Sequence, residues 1–320
     1  MNYRSVADLN RDIIAWAKLL PRDLELIVGI PRSGLLAANL LALHLNLPMT
    51  DVEGLVCGRV FACGQRTSGR IDGPTFLSVP RKVLIVDDTV SAGQQKQLVR
   101  QLITSASLPH VILYGAVYAA SRDADQLVDS YYTIVPTPRY FEWNILHHGV
   151  LAMSCVDIDG VLCRDPTPEE NDDGPQYLQF IREVRPTFVP TVPVGWLVTS
   201  RLEKYRRDTE EWLVRNGIQF RTLLMMDLPD KQARLASGSH ASFKARHYRD
   251  TQTCLFIESS PQQAMEIAHL SGKYVFCTDT MQMIPPTLPA QGYRNARRWA
   301  RRLRRRCSTR LRELWGLRRA

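Results

Sequence analysis

Short apolar runs rich in β-branched residues alternate along the 320-residue chain with amphipathic segments. This pattern predicts an α/β fold built on parallel sheets. In the first half the runs are Leu24–Ile30, Lys82–Asp88 and His110–Ala119. In the second they are Ser154–Asp159, Gly195–Ser200, Cys254–Ser259 and Tyr274–Thr278. A helix is expected after most of them, for instance Glu203–Asn216, closed by Gly217. Residues 57–79 have little periodicity and several glycines, which predicts a mobile loop. The Pro-rich stretch Val135–Arg139 and the aromatic run 139–144 precede the second series, so a boundary is expected at 148–152. Three parts follow: 1–150, 151–284 and a tail, 285–320.

Charge sets the tail apart. The formal charge of +9 is an uneven average. Residues 293–320 hold twelve arginines and one acid, Glu313, a net of +11, which leaves −2 for the other 292 residues. Ala296, Trp299, Ala300, Leu303, Cys307, Leu311 and Leu314 fall on one helical face of that tail, with Trp315 beside them. Such a helix suits an anionic membrane surface. Nucleic acid is the rival partner, and the interleaved Trp and Leu favour the membrane. Seven scattered cysteines without C-x-x-C spacing argue against a zinc site or a disulfide framework and fit a reducing cytosol. No run is long enough for a signal peptide or a bilayer span.

The candidate chemistry of the first half lies in RKVLIVDDTVSAGQQ, residues 81–95. A buried strand is expected to end in Asp87 and Asp88, and a turn, Thr89, Val90, Ser91, Ala92 and Gly93, to lead into a helix. Backbone N–H groups of such a turn form an anion site, and two carboxylates there can hold ribose hydroxyls or a magnesium ion. The string resembles the phosphoribosyl-pyrophosphate (PRPP) fingerprint of type I phosphoribosyltransferases. The resemblance implies that Asp87 and Asp88 hold the ribose of PRPP and Thr89–Gly93 its 5-phosphate. It also makes the turn Arg32, Ser33 and Gly34, some fifty residues upstream, the pyrophosphate contact. The segment 57–79 would then close over PRPP, with Arg59, Arg66 and Arg70 as candidate pyrophosphate ligands. Purine-salvage members commonly carry an acid where Ser91 stands, which weakens the case for a purine acceptor. Trp143, His147 and His148 are placed either to contact the acceptor or to pack the domain interface.

SCVDIDGVLC, residues 154–163, is an apolar strand ending in D-x-D-G. A calcium loop needs further acids downstream in a pattern that ends in glutamate, and VLCRDP does not supply that pattern. The segment resembles the first motif of haloacid-dehalogenase phosphatases. The resemblance implies Asp157 as nucleophile, Asp159 as general acid and base, and magnesium held by Asp157, Asp159 and Glu258. Thr199 and Ser200 would bind phosphate, steadied by Lys244, with Lys231 as second choice. About 35 residues separate the first motif from Gly195, too few for a large cap domain, so the expected site is open and suits a bulky substrate.

The two resemblances together imply two doubly wound parallel-sheet domains, a phosphoribosyltransferase fold and an uncapped haloacid-dehalogenase fold. They are similar to the two-step ribofuranosyltransferases of bacterial surface-polysaccharide synthesis. PRPP would be the donor, a lipid-linked glycan the acceptor and magnesium the cofactor of both sites, on the inner face of the cytoplasmic membrane. Nucleobase salvage coupled to nucleotide dephosphorylation, or a PRPP-sensing regulator that binds nucleic acid, are the other functions this composition admits.

Overall fold

The structure, a computed structural model, describes residues 1–61, 73–91, 94–236 and 240–286. The chain divides into two compact units, the first running from Met1 to Trp143 and the second beginning at Asn144. Ala92, Gly93, Arg66, Arg70 and the basic tail lie outside the described residues.

The first unit opens with strand β1 (Asn2–Arg4) and helix α1 (Val6–Ala17). Ser5 caps α1 and exchanges bonds with Asp8 in a capping box. Then come β2 (Leu26–Gly29), α2 (Ser33–Leu45), β3 (Met49–Asp51), α3 (Val52–Val56) and α4 (Gly73–Leu77). The unit finishes with β4 (Lys82–Val90), α5 (Gln94–Ser105), β5 (Val111–Ala119), β6 (Ser130–Ile134) and β7 (Arg139–Phe141). Five parallel strands lie in the order β3-β2-β4-β5-β6, while β1 pairs with β7 alone. The chain leaves β2 towards β3 and returns on the other side to β4. That reversal opens a crevice at the carboxyl ends of β2 and β4, where open parallel sheets place ligands. Both sheet faces are covered. Leu84 and Val86 point into a core with α1 and α2, Val83 and Ile85 into a second core with Val99 and Ile103.

In the second unit the elements are β8 (Ser154–Val156), α6 (Pro175–Glu183), β9 (Val194–Leu202), α7 (Arg206–Arg215), β10 (Phe220–Met226), α8 (Lys231–Ala236) and α9 (His240–Asp250). They are followed by β11 (Leu255–Glu258), α10 (Pro261–Ser271), β12 (Val275–Cys277) and β13 (Gln282–Ile284). The sheet order is β10-β9-β8-β11-β12-β13, parallel except for the edge strand β13. Here the reversal falls between β8 and β11. Between β8 and β9 the one helix among the described residues is α6, so nothing of the size of a cap domain is inserted there.

Several sequence-predicted boundaries move. The strand expected to end at Asp88 continues to Val90, because β5 is long enough to pair Thr89 with Tyr118 and Val90 with Ala119. The strand expected to reach Asp159 stops at Val156, and Ile158 turns the chain by accepting from the N–H groups of Val161, Leu162 and Cys163. The segment 57–79 contains the short helix α4, which corrects the expectation of a loop throughout. The helix expected over 203–216 starts as one 3₁₀ turn, Glu203–Tyr205, before α7, and Gly217 closes it at φ +70°.

Candidate active sites

The first site lies where β2 and β4 end side by side. The turn after β2 lies directly over β4. A Cβ on Gly34 would sit 2.8 Å from the Val86 carbonyl oxygen and 3.0 Å from Asp87 Oδ1, so only glycine permits the approach. The Pro31–Arg32 peptide bond in this turn is cis. Helix α2 starts at Ser33, which leaves its first backbone N–H groups at the crevice.

The two acids have different surroundings. Asp88 is 2% exposed and faces the core side. Its Oδ1 accepts from Ser33 Oγ at 2.9 Å and its Oδ2 from the Trp143 indole N–H at 2.8 Å. Trp143 stacks on Phe141, with ring centroids 5.0 Å apart. Asp88 thus ties the turn after β2 to the segment after β7, and both its oxygens are engaged by the protein. Asp87 accepts from the Asp88 backbone N–H at 2.9 Å. Burial, and then the neighbouring Asp88, push its carboxyl up to about 8.

Two buried polar atoms close to this fingerprint have no partner, Thr89 Oγ1 and Arg139 Nη1. Arg139, which is 8% exposed, reaches the strand through Nη2, donating to the Val90 carbonyl at 3.3 Å. A phosphate oxygen is the kind of group that satisfies such atoms. Arg59 is paired with Asp51 at 2.7 Å, and Arg32 stands at the N-cap of α2.

Asp87 supplies a test in the free protein. A carboxyl whose folded pKa is raised contributes stability that is full below the unfolded value of 3.8 and is lost as pH rises towards about 8. Asp87→Asn has no such proton to lose. Its melting temperature relative to wild type should therefore climb between pH 4 and pH 8 and level off above. A constant difference across that range contradicts the assignment.

The second site is a cavity of about 280 Å³ at the reversal between β8 and β11. It brings together Asp157, Asp159, Thr199, Ser200, Lys244 and Glu258. Backbone geometry makes the gathering possible. The Asp157 N–H bonds to the Ile257 carbonyl at 3.0 Å, continuing the parallel pairing of β8 with β11 by one residue. Gly160 has φ +82°, and a Cβ there would lie 2.0 Å from Ser259 Oγ. Glycine is needed on both counts.

Lys244 is 2% exposed and is the hub. Its ammonium donates to Asp157 Oδ2 at 2.5 Å, Glu258 Oε2 at 2.7 Å and Gln263 Oε1 at 3.1 Å. Removing Lys244 would leave its buried acids without a cation, at a cost of about 3–5 kcal/mol. Burial pushes the Asp157 carboxyl up to about 8, against the pull of Lys244. Glu258 Oε1 accepts from the N–H groups of Ser259 and Ser260 at 3.0 and 3.1 Å, so both of its oxygens are occupied. Asp159 is gripped by Arg201, a fully buried residue, through Nε at 3.1 Å and Nη2 at 2.6 Å. Asp165, also lining the cavity, has its carboxyl raised by burial and by Asp159. Lys231 is not among the lining residues and donates to the Asn171 carbonyl.

The donor set does not fit a magnesium ion as it stands. Glu258 already accepts from Lys244 and two backbone N–H groups, Asp159 is held in the Arg201 fork, and no group of three acids, histidines or cysteines among the described residues is disposed to hold a metal. Glu258 instead positions Lys244.

No family model matches the chain, and no curated protein matches it. Among solved structures, its N-terminal part is similar to a purine phosphoribosyltransferase from Pyrococcus horikoshii, at 20% identity and TM-score 0.32, over 44% of this chain and 92% of that one. It is also similar to a Helicobacter pylori xanthine-guanine-hypoxanthine phosphoribosyltransferase, at 16% identity and TM-score 0.34, over 45% and 93% of the two chains. An adenine phosphoribosyltransferase from Thermoanaerobacter pseudethanolicus matches at 18% identity and TM-score 0.27, over 42% and 80%.

Sequence reasoning passed over Arg201, Arg234, His240 and Arg139. The signal for Arg201 is its place directly after Thr199 and Ser200, where a central strand seldom buries an arginine without a carboxylate to receive it.

Proposed function

We propose that the chain performs net ribosyl transfer in two steps. The first unit moves 5-phosphoribose from PRPP to a hydroxyl of a glycan acceptor and releases pyrophosphate. The second hydrolyses the 5-phosphate and leaves a β-ribofuranosyl residue. The observation that carries this reading is the pairing, in one chain, of two acid-bearing crevices, each at the strand reversal of its own parallel sheet.

In the first step Asp87 and the N-terminus of α2, with Arg32, Ser33 and Gly34, receive the ribose and pyrophosphate ends of PRPP. Thr89 and Val90, at the end of β4, and the residues up to Gly93 hold the 5-phosphate. Asp88 keeps the turn after β2 in register through Ser33. Asp87 is the carboxylate that would hold a magnesium ion bound to the substrate's pyrophosphate, where the ion would offset the negative charge of the leaving group. Attack from the face opposite the leaving pyrophosphate inverts the α-configured donor.

In the second step Asp157 attacks phosphorus, the ribosyl oxygen leaves, and water cleaves the phospho-aspartate. Lys244 orients the nucleophile, and Arg201 orients Asp159 for proton transfer. The absence of a cap-sized insertion after β8 supports a substrate as large as a glycan terminus.

Among the described residues no helix is long and apolar enough to cross a membrane. The arginine-rich tail is proposed to hold the chain against anionic lipid and its lipid-linked acceptor. Removing 293–320 should abolish binding to anionic vesicles, and added salt should weaken binding of the intact chain. Equal binding with and without the tail sinks that part of the proposal.

The test of the function is incubation with PRPP, magnesium and a panel of glycan acceptors, followed by weighing of the products. One acceptor should gain a single ribosyl unit. Turnover with a free nucleobase instead transfers the reading to salvage.

A further inference from the structure

The cations that sequence resemblance assigns to the phosphoryl group in the second cavity are already engaged. An ammonium has three donors, and those of Lys244 reach Asp157, Glu258 and Gln263. Lys231 donates to the Asn171 backbone carbonyl and is not among the residues lining this cavity. The Arg201 guanidinium is directed at Asp159, Thr209 and Cys163. A phosphate monoester entering with two negative charges, beside four carboxylates, needs a further positive group to meet it.

Arg234 lines the same cavity and is 8% exposed. It donates to neutral acceptors, among them the Ser200 carbonyl at 3.2 Å, the Asn171 side-chain oxygen at 3.3 Å and the Tyr177 hydroxyl. Ser200 Oγ and His240 Nδ1 also belong to residues lining this cavity. Both atoms are buried and have no hydrogen-bond partner. Buried polar atoms are nearly always paired. Two orphans in a cavity with a buried arginine mark a place prepared for a ligand's oxygens.

We infer that Arg234, with Ser200 Oγ and His240 Nδ1, is the seat of the substrate's phosphoryl oxygens, and that Lys244 serves the nucleophile instead. The inference deepens the phosphatase reading of this cavity and rests on it. A guanidinium presents a planar fork that matches two phosphate oxygens, which an ammonium does not. Ser200 donates its hydroxyl, and the imidazole donates through Nδ1–H. The ligand class is a phosphate monoester dianion, for which inorganic phosphate, the product, is the simplest probe.

The experiment uses the full chain and two probes. Binding of inorganic phosphate is measured by calorimetry, and hydrolysis of ribose 5-phosphate by phosphate release. Arg234→Gln should weaken phosphate binding and raise KM at least about tenfold, with a smaller fall in kcat. Arg234→Lys should recover part of the loss. Ser200→Ala and His240→Ala, which leave the buried arginine in place, should each weaken phosphate binding several-fold. Unchanged binding and KM in a folded Arg234→Gln protein, while wild type hydrolyses the ester, overturns the seat and leaves the phosphatase reading intact. Phosphate binding that is lost in Arg234→Gln, with no hydrolysis by wild type, upholds the seat and defeats that reading. If Arg234→Gln does not fold, unaltered phosphate binding in both alanine variants overturns the seat.

Discussion

Asp157→Asn is expected to halt the reaction at a phosphorylated intermediate, an acceptor heavier by one phosphoribosyl unit. The substitution preserves size but removes the anionic oxygen that attacks phosphorus. Hydrolysis should fall about a thousand-fold or more, the scale seen when a covalent nucleophile is lost. Some stability goes with it. An amide that turns its oxygen to Lys244 brings its NH₂ against the Ile158 N–H, which now bonds Oδ1 at 2.8 Å. One lost buried hydrogen bond of this kind costs about 1–3 kcal/mol. Lys244 keeps Glu258 and Gln263, so the unit should still fold. The first unit has its own sheet and cores, so its step should continue. Adding an unrelated phosphatase should then convert the intermediate to the plain ribosyl product. Dephosphorylated product formed by the variant at the wild-type rate shows that the second unit is not the phosphatase.

The second large effect belongs to Asp88→Asn. Both carboxylate oxygens of Asp88 now accept, from Ser33 and from Trp143. An asparagine has one acceptor and one donor group in their place, so either the hydroxyl must reverse its role or the indole N–H must face a second donor. The turn carrying Arg32 and Gly34 loses its tether to β4. A displacement of about 1 Å in a reacting group is enough for a hundred-fold loss, and transfer from PRPP should fall by at least that. Hydrolysis of a supplied phosphoribosyl glycan should remain at the wild-type rate. Near-normal transfer by Asp88→Asn contradicts the placement of PRPP at this crevice.

The sequence made the alternating α/β architecture legible because buried parallel strands read as unbroken apolar runs. LIV before Gly29 and VLIV before Asp87 carry that signal. Acids at the ends of such runs, Asp87, Asp157 and Glu258, could therefore be assigned to the carboxyl edge of a sheet. Strand length was less legible. Val90 stays in β4 because of its partner on β5, and pairing of that kind is not written in either strand alone. The two faces of the Asp87–Asp88 pair were also hidden. Which acid meets solvent and which meets Trp143 depends on a segment 55 residues downstream. In the same way Arg201 finds Asp159 across 42 residues, and Arg234 finds Asn171 across 63. Buried arginines look like surface charges in a linear pattern, since their partners are fixed only when the sheet closes.

The most direct test of a two-step chain follows PRPP labelled at its 5-phosphate, with magnesium and the glycan acceptor present. Label is expected to pass to the acceptor first and then to appear as inorganic phosphate, and Asp157→Asn is expected to leave it on the acceptor. Label released as inorganic phosphate without ever residing on the acceptor would contradict the two-step reaction.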